Sequence, residues 1–264
     1  MMRSTTWGKS HGYTLLRTIG ITAFWIGIWY AAALAVGQEI LIPTPGKVIR
    51  TLWQLLGTGL FWRSIALSLI RICLGFLSAL VVGTLLAILT SRYSLLHALF
   101  SPLLHLVRAA PVASFIILTL VWIQTDSVPV FISFLMVLPM VWINVEQGIR
   151  QTDPQLLEMG RLYRLSSLST LRHIYFPSTK PYLISACING LGFAWKSGVA
   201  AEVICRPEYS IGHQLANANS YLETPEVFAW TAVVVVLSLL LERLLLWITG
   251  NGSQKAGGAP HDNL

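Results

Sequence analysis

Three stretches of this chain, Ile19 to Gly37, Ile72 to Thr90 and Val128 to Val145, contain no charged residue. A helix needs roughly 20 apolar residues to cross a hydrocarbon core of about 30 Å, so each run reads as a membrane span. In lipid every backbone polar group has to be satisfied internally, and a helix does this within one segment. Composition agrees: 55% of the 264 residues are hydrophobic and 11% are charged, where soluble domains carry about 25% charged residues. These figures exclude a soluble globule and a disordered chain. Three scattered cysteines, Cys73, Cys187 and Cys205, none in a C-x-x-C pair, exclude a disulfide scaffold.

Three more segments qualify with polar interruptions: about Pro102 to Thr125 with Arg108 inside, Pro181 to Ile204 with Lys196 and Glu202, and Val227 to Thr249 with Glu242 and Arg243 near its end. The expected fold is therefore all-α and integral to the membrane, with about six transmembrane helices. Orientation follows from Lys and Arg in the connecting segments. With the N-terminus in the cytoplasm, the inner segments hold Arg3, Lys9, Arg17, Arg92, Arg150, Arg161, Arg164, Arg172, Lys180 and Lys255, and the outer ones hold Lys47, Arg50, Arg63 and Arg206. Ten against four places both termini inside. The net charge of +7 is then a topology signal and not a nucleic-acid footprint. Ala33-Leu34-Ala35 mimics a signal-peptide cleavage site, but the first run is long for a signal peptide, rich in Trp and Tyr, and its removal leaves an odd number of spans.

Two outer segments are long. Gln38 to Trp62 opens with the turn-forming Pro43-Thr44-Pro45-Gly46, and Val48, Ile49, Leu52, Leu55 and Leu56 then fall at helical spacing, as in an amphipathic helix lying on the outer surface. Cys205 to Glu226 is polar and aromatic, and reads either as a partner-binding segment or as a solvated loop with a re-entrant turn. No internal repeat is evident. Between the fourth and fifth spans, Asp153-Pro154 is a helix start: Asp caps free N–H groups, and Pro fits the first turn. The helix QLLEMGRLYRL follows, Ser166-Ser167 breaks it, LSTLRHIYF supplies a second short helix, and Pro177 is expected to end it.

The stretch DPQLLEMGRLYRLSSLSTLRHIYFPSTKPY resembles the EAA loop of bacterial ABC importer permeases, roughly D-P-x-L-x-E-A-A-x-x-x-G, nine residues, then I-x-L-P. Glu158 takes the Glu position, Met159 and Gly160 replace the two Ala, and Ile174, Pro177 and Pro181-Tyr182 follow in place. Arg164 stands where the family usually has Gly, which argues against a tight turn there, because Arg rarely accepts a positive φ; Leu165-Ser166-Ser167 can supply the bend instead. LIPTPGKVIRTLWQLL resembles the family's L-P-x-P entry segment, SLIRICLGF its S-L-x-R-x-x-x-G-F opening of the second span, and AWKSGVAAEVI the fifth span of the sulfonate, taurine and nitrate branch, so the likeness runs from about Leu41 to Leu246.

The resemblance implies the transmembrane subunit of a type I ABC importer in a bacterial inner membrane, moving a small solute by alternating access. It is not an enzyme and binds no cofactor itself. ATP and Mg belong to two copies of a separate ATPase, consistent with the lack of a G-x-x-x-x-G-K-[ST] loop in this chain. A second permease copy, an extracytoplasmic binding protein and the lipid membrane complete the implied partners. The family's ATPase-coupling positions map here onto Asp153, Glu158, Met159, Gly160, Arg161, Tyr163, Arg164, Leu165, Ile174 and Pro177. The chain divides into 1–62 (tail, first span and outer amphipathic segment), a permease core 63–250 with the coupling loop 150–180, and a cytoplasmic tail 251–264.

Charges inside the spans are costly, about 2.5 to 3.5 kcal/mol at a helix centre on insertion scales, so each needs a role. Arg71 is expected to snorkel to the outer interface. Arg108, Lys196 and Glu202 are the candidates for the translocation pathway. Lys196 and Glu202 are six residues apart, about 240° around a helix, and meet different neighbours. Gly198, Ala200 and Ala201 suit close packing between two copies. The six His are dispersed, with no acidic partner near His97 and His105 and no metal motif. The rival function is a gradient-driven secondary transporter with Glu146, Lys196 and Glu202 as a proton relay. Trp25, Trp29, Trp53 and Trp62 read as interfacial anchors.

Overall fold

A computed structural model describes residues 9–250; Arg3, Lys255 and the tail 251–264 lie outside the described residues. The described chain is helical throughout: α1 (Lys9–Val36), α2 (Pro45–Leu56), α3 (Gly59–Arg92), α4 (Ser94–Ala109), α5 (Val112–Thr119), α6 (Val128–Arg150), α7 (Pro154–Leu162), α8 (Ser167–Thr170), a π-helical turn (Leu171–Tyr175), α9 (Phe176–Cys205), α10 (Ile211–Ser220) and α11 (Thr224–Ile248). Among the described residues four helices are long and apolar enough to cross a membrane, in α1, α3, α6 and α11; a bent pair, α4 with α5, makes a fifth if it is one span. α9 has the length, 30 residues, but Ser185, Asn189, Lys196 and Ser197 dilute its apolar sequence.

The expected third span is broken. α4 and α5 meet at 105°, because Pro111 donates no hydrogen bond and forces the preceding Ala110 out of the helical region, to φ −79°, ψ 143°. The proline-rich stretch before α2 also differs from expectation. Pro45 and Gly46 are the first residues of the helix itself, not part of a turn. Val48 is buried and Leu52, Leu55 and Leu56 pack on the core, but Ile49 and Trp53 point away from the protein. The polar segment after Cys205 is not an open loop: it contains α10, capped by the Ser210 hydroxyl accepting from the His213 N–H at 3.0 Å, with Ile211, Ala216 and Ala218 buried.

α3, α6 and α9 form the centre. Lipid removes the hydrophobic drive that holds soluble helices together, so close van der Waals contact has to do the work, and small residues permit it. A Cβ on Gly75 of α3 would lie 2.3 Å from the Val130 carbonyl oxygen and 2.7 Å from Ser133 Cβ, both on α6. One on Gly83 would lie 2.9 Å from Val141 Cβ, and one on Gly198 of α9 would lie 2.6 Å from both Ile72 Cγ1 and Ser133 Oγ. Gly198 and the fully buried Ala201 are therefore consumed inside the chain and are not free to join two copies; Ala200 alone of the three is exposed.

Tryptophans act as struts between these helices. Trp142 Nε1 donates to Thr90 Oγ1 at 2.8 Å, tying α6 to α3, and Trp195 Nε1 donates to the Val234 carbonyl at 3.1 Å, tying α9 to α11. Both rings are almost completely buried, unlike Trp25, Trp53 and Trp62, which are exposed. Trp29 stacks on Phe228 of α11 with centroids 5.7 Å apart.

Overpacking a filled core costs about 1 to 3 kcal/mol or more. Gly198→Val is expected to lower the thermal stability of the detergent-extracted protein by at least that amount, whereas Gly192→Ala, where nothing lies within 4 Å of a new Cβ, leaves it unchanged. Size-exclusion chromatography with a melting curve on both variants checks this.

Candidate functional site

The segment from Asp153 to Pro177 is built on a rigid base. At the end of α6, Arg150 donates from Nε (3.1 Å) and Nη2 (2.7 Å) to Glu146 Oε1, and His97 Nε2 of α4 lies 3.2 Å from the same oxygen. His97 thus has the acidic neighbour that its sequence surroundings lack. Gly148 lets α6 meet the start of α9: a Cβ there would lie 2.9 Å from Thr179 Cγ2 and 3.0 Å from Tyr182 Cδ2. The Tyr182 hydroxyl donates to the Gln151 side chain. Both ends of the loop are therefore clamped to each other.

The Asp153 carboxylate accepts from the Gln155 N–H at 2.8 Å, and Pro154 sits in the first turn of α7, as the sequence predicts. The helix stops at Tyr163, and Arg164 itself makes the tight turn that its residue type argues against, at φ 49°. The Arg164 N–H donates to the Arg161 carbonyl at 3.0 Å and the Leu165 N–H donates to the Gly160 carbonyl at 2.9 Å, the paired bonds of a Schellman cap. These bonds and the contact of Leu165 with Gly160 offset the strain of a left-handed Arg, about 1 to 2 kcal/mol. Gly160 is buried against Ile174, whose Cδ1 would be 3.1 Å from a Cβ at that position. The small residue holds α7 down on the returning chain.

Pro177 does not end the second short helix. α8, capped by Ser166 Oγ accepting from the Ser169 N–H at 3.2 Å, runs through the π-helical turn into α9 without a break. The Phe176 N–H reaches back five residues to the Leu171 carbonyl, and Pro177 lies in the first turn of α9, where a missing donor is tolerated. α7 thus rests, through Gly160 and Ile174, on the turn that runs into α9. Outward from this frame project Leu162, Tyr163 and Leu168, 81%, 75% and 74% exposed. Around them Glu158, Met159, Arg161, Arg164 and Arg172 are also exposed, and among the described residues none of the charged ones forms an ion pair.

The intramembrane charges go to different places. Glu202 is fully buried. Its Oε2 accepts from Ser68 Oγ at 2.7 Å and from the Gly212 N–H at 3.2 Å, and Ser68 Oγ in turn accepts from the Ile211 N–H at 2.9 Å. The carboxylate sits at the N-terminus of α10, where the helix dipole favours an anion, and only Gly fits there, since a Cβ on Gly212 would be 2.3 Å from Glu202 Cβ. Arg71 donates from Nη2 to Asp126 Oδ1 at 2.9 Å and to the Glu208 carbonyl at 3.2 Å, joining α3 to two loops. Lys196 is exposed and lines a cavity of about 400 Å³ with Asn189, Trp195, Ser238 and Glu242, between α6, α9 and α11. Arg108 is exposed at the end of α4, outside that cavity. No hydrogen bond or ion pair links Glu146, Lys196 and Glu202 to one another.

Residues 79–250 match the family described as the binding-protein-dependent transport system inner membrane component. The chain belongs to this family. It is similar to the bicarbonate transport system permease protein CmpB of Synechococcus elongatus, 27% identical over 194 residues, covering 73% of this chain and 69% of that protein. The taurine transport system permease protein TauC of Escherichia coli is 24% identical over 243 residues, covering 89% of this chain and 87% of its own. The fold is shared with a crystal structure of an amino acid ABC transporter, with a TM-score of 0.61 at 17% identity, covering 72% of this chain and 92% of that one. These likenesses place the chain among the ABC importer permeases of the sulfonate, nitrate and taurine branch, a multi-pass inner-membrane subunit whose family works with an ATPase and a binding protein.

In a permease of this family the start of the loop at Asp153-Pro154 was legible from the sequence, but the turn at Arg164, the passage through Pro177 and the base that holds them were not. The Glu146–Arg150 pair has the i, i+4 spacing of a helical ion pair, and this was the available signal. Ser68 and Trp195 carry none, because their partners lie far away in the chain.

Arg164→Gly removes the left-handed strain and is expected to stabilise the α7 cap by about 1 kcal/mol, read as slower amide exchange of Tyr163 to Leu165. Ser68→Ala leaves the buried Glu202 carboxylate and the Ile211 N–H each short of a partner. A loss of about 1.5 to 3 kcal/mol in stability is expected, with faster amide exchange confined to α10 and its preceding loop.

Proposed function

We propose that this chain is the translocating subunit of an ATP-driven importer for a small anion, with Asp153 to Pro177 as the coupling element that a separate ATPase grips. The observation that carries this reading is the exposed apolar set Leu162, Tyr163 and Leu168, the first two at the capped end of α7 and the last on α8, which runs without a break into the long helix α9. Apolar side chains gathered on an otherwise charged loop mark a docking surface. Glu158 and Arg161 beside them give the dock its charge pattern. ATP and Mg belong to the partner, two ATPase copies serving two permease copies, and an extracytoplasmic protein delivers the solute.

The second permease copy is supported by α9. Ser185, Asn189, Phe193, Lys196 and Ala200 are exposed and recur at three or four residues, forming one stripe along the helix. A polar stripe with a lysine at membrane depth is costly against lipid, and is relieved by a second copy or a watery pathway. We place the pathway along this stripe, with Lys196 as its cationic contact, Arg108 at its margin, and Glu202 holding the surrounding helices in position. The relatives named for bicarbonate, taurine and aliphatic sulfonates are named for solutes that carry an anionic group, which fits a lysine there. Alternating access then follows from movement of α7 passed to α9. Both termini face the cytoplasm in this arrangement, with residues 63–250 as the working core. A proton relay through Glu146, Lys196 and Glu202 has no geometric support, since they have separate neighbours.

The reading is tested by extracting the tagged chain gently from its native membrane and weighing what copurifies. An ATPase in near-equal amount, lost on Leu162→Asp and weakened on Glu158→Lys while membrane insertion persists, is expected. Uptake that survives ATP depletion and falls with the proton gradient overturns it.

A further inference from the structure

A second cleft, which shares no lining residue with the Lys196 cavity, lies beside the segment proposed for coupling. It has a volume of about 340 Å³ and lies between the C-terminal end of α3, the second half of α6 and the π-helical turn leading into α9. Ile88, Val145, Ile149, Phe176 and Leu183 make its wall apolar. Two features are out of place in such a wall. Ser91 Oγ and Thr179 Oγ1 are buried without any hydrogen-bond partner, and both belong to residues lining the cleft. A buried hydroxyl left unsatisfied is costly, so two of them in one cleft signal an absent acceptor. Arg92 and Lys180 also line it, both exposed, and neither forms an ion pair among the described residues.

Two cations, two free hydroxyl donors and an apolar trough together match an amphiphile with an anionic, acceptor-rich head and a hydrocarbon tail. The positive-inside count puts Arg92 and Lys180 on the cytoplasmic side, at headgroup depth of the inner leaflet. We propose that this cleft is a binding site for one anionic phospholipid, its phosphate held by Arg92, Lys180, Ser91 and Thr179 and one acyl chain lying in the trough. The tail contacts Leu171 and Tyr175 of the π-helical turn, so the bound lipid props the joint between α8 and α9. Charge complementarity selects the occupant: a zwitterionic lipid offers the same tail but no net charge to the two cations. The site stands on the cleft itself; only its effect on transport rests on the coupling role proposed above.

The test is native mass spectrometry of the full chain, extracted with its partners and titrated with phosphatidylglycerol or phosphatidylcholine. One phosphatidylglycerol per chain is expected to remain bound under conditions that strip phosphatidylcholine. Arg92→Gln with Lys180→Gln is expected to weaken retention about tenfold or more, as each juxtamembrane cation contributes about 1 kcal/mol. Ile88→Trp, which fills the trough, abolishes retention, and Arg243→Gln, an exposed cation outside the cleft, leaves it unchanged. Equal retention of the two lipids, equal loss in the Arg243 variant, or displacement by inorganic phosphate alone overturns the proposal. So does protection of an Ile88→Cys label by the ATPase without lipid, which assigns the cleft to a protein segment. Retention is read without any transport assay, so failure of the importer reading leaves this result intact.

Discussion

Where α3 crosses α6, the backbones approach so closely that a single methyl on Gly75 would fall 2.3 Å from a carbonyl oxygen. Every other feature of the permease hangs on that contact and its counterpart at Gly198. Helices that gain nothing by hiding from water in a bilayer can still gain dispersion energy by fitting surface to surface, and glycine is the residue that lets them do so. With α3, α6 and α9 fixed in this way, the ends of α6 and α9 lie side by side, and the loop between them has a firm base at Gly148, Tyr182 and Gln151.

Polar groups inside this frame are used as pins. Glu202 joins α9 to α3 through Ser68 and holds the first turn of α10, and Arg71 joins α3 to the loops around Asp126 and Glu208. Each bond removes a group that would otherwise be unsatisfied in a low-dielectric interior, which is why such pins are worth more than their number suggests. Lys196, by contrast, forms no ion pair among the described residues and lies in the exposed stripe of α9.

The segment from Asp153 to Pro177 was readable from sequence where the rule is local. Asp153 as a cap and Pro154 in the first turn depend on a few neighbouring residues. The positive φ of Arg164 ran against residue preference, yet two backbone bonds and the contact of Leu165 with Gly160 outweigh the strain. Pro177 misled for a related reason: proline breaks a helix in its interior but not in its first turn, and the π-helical turn before it sets where that first turn begins.

By itself the sequence determined that the chain lives in a membrane, that it is helical, roughly where the apolar runs lie, and which loop carries the family pattern. These properties follow from hydrophobicity and short-range spacing, and both are written along the chain. Only the tertiary structure decided that Gly198 serves the inside of one chain, that Glu202 is a pin, that His97 meets Glu146, and that α4 and α5 meet at 105°. Each of these depends on which distant helix comes within a few ångströms, a matter of shape at contact surfaces that no local spacing encodes.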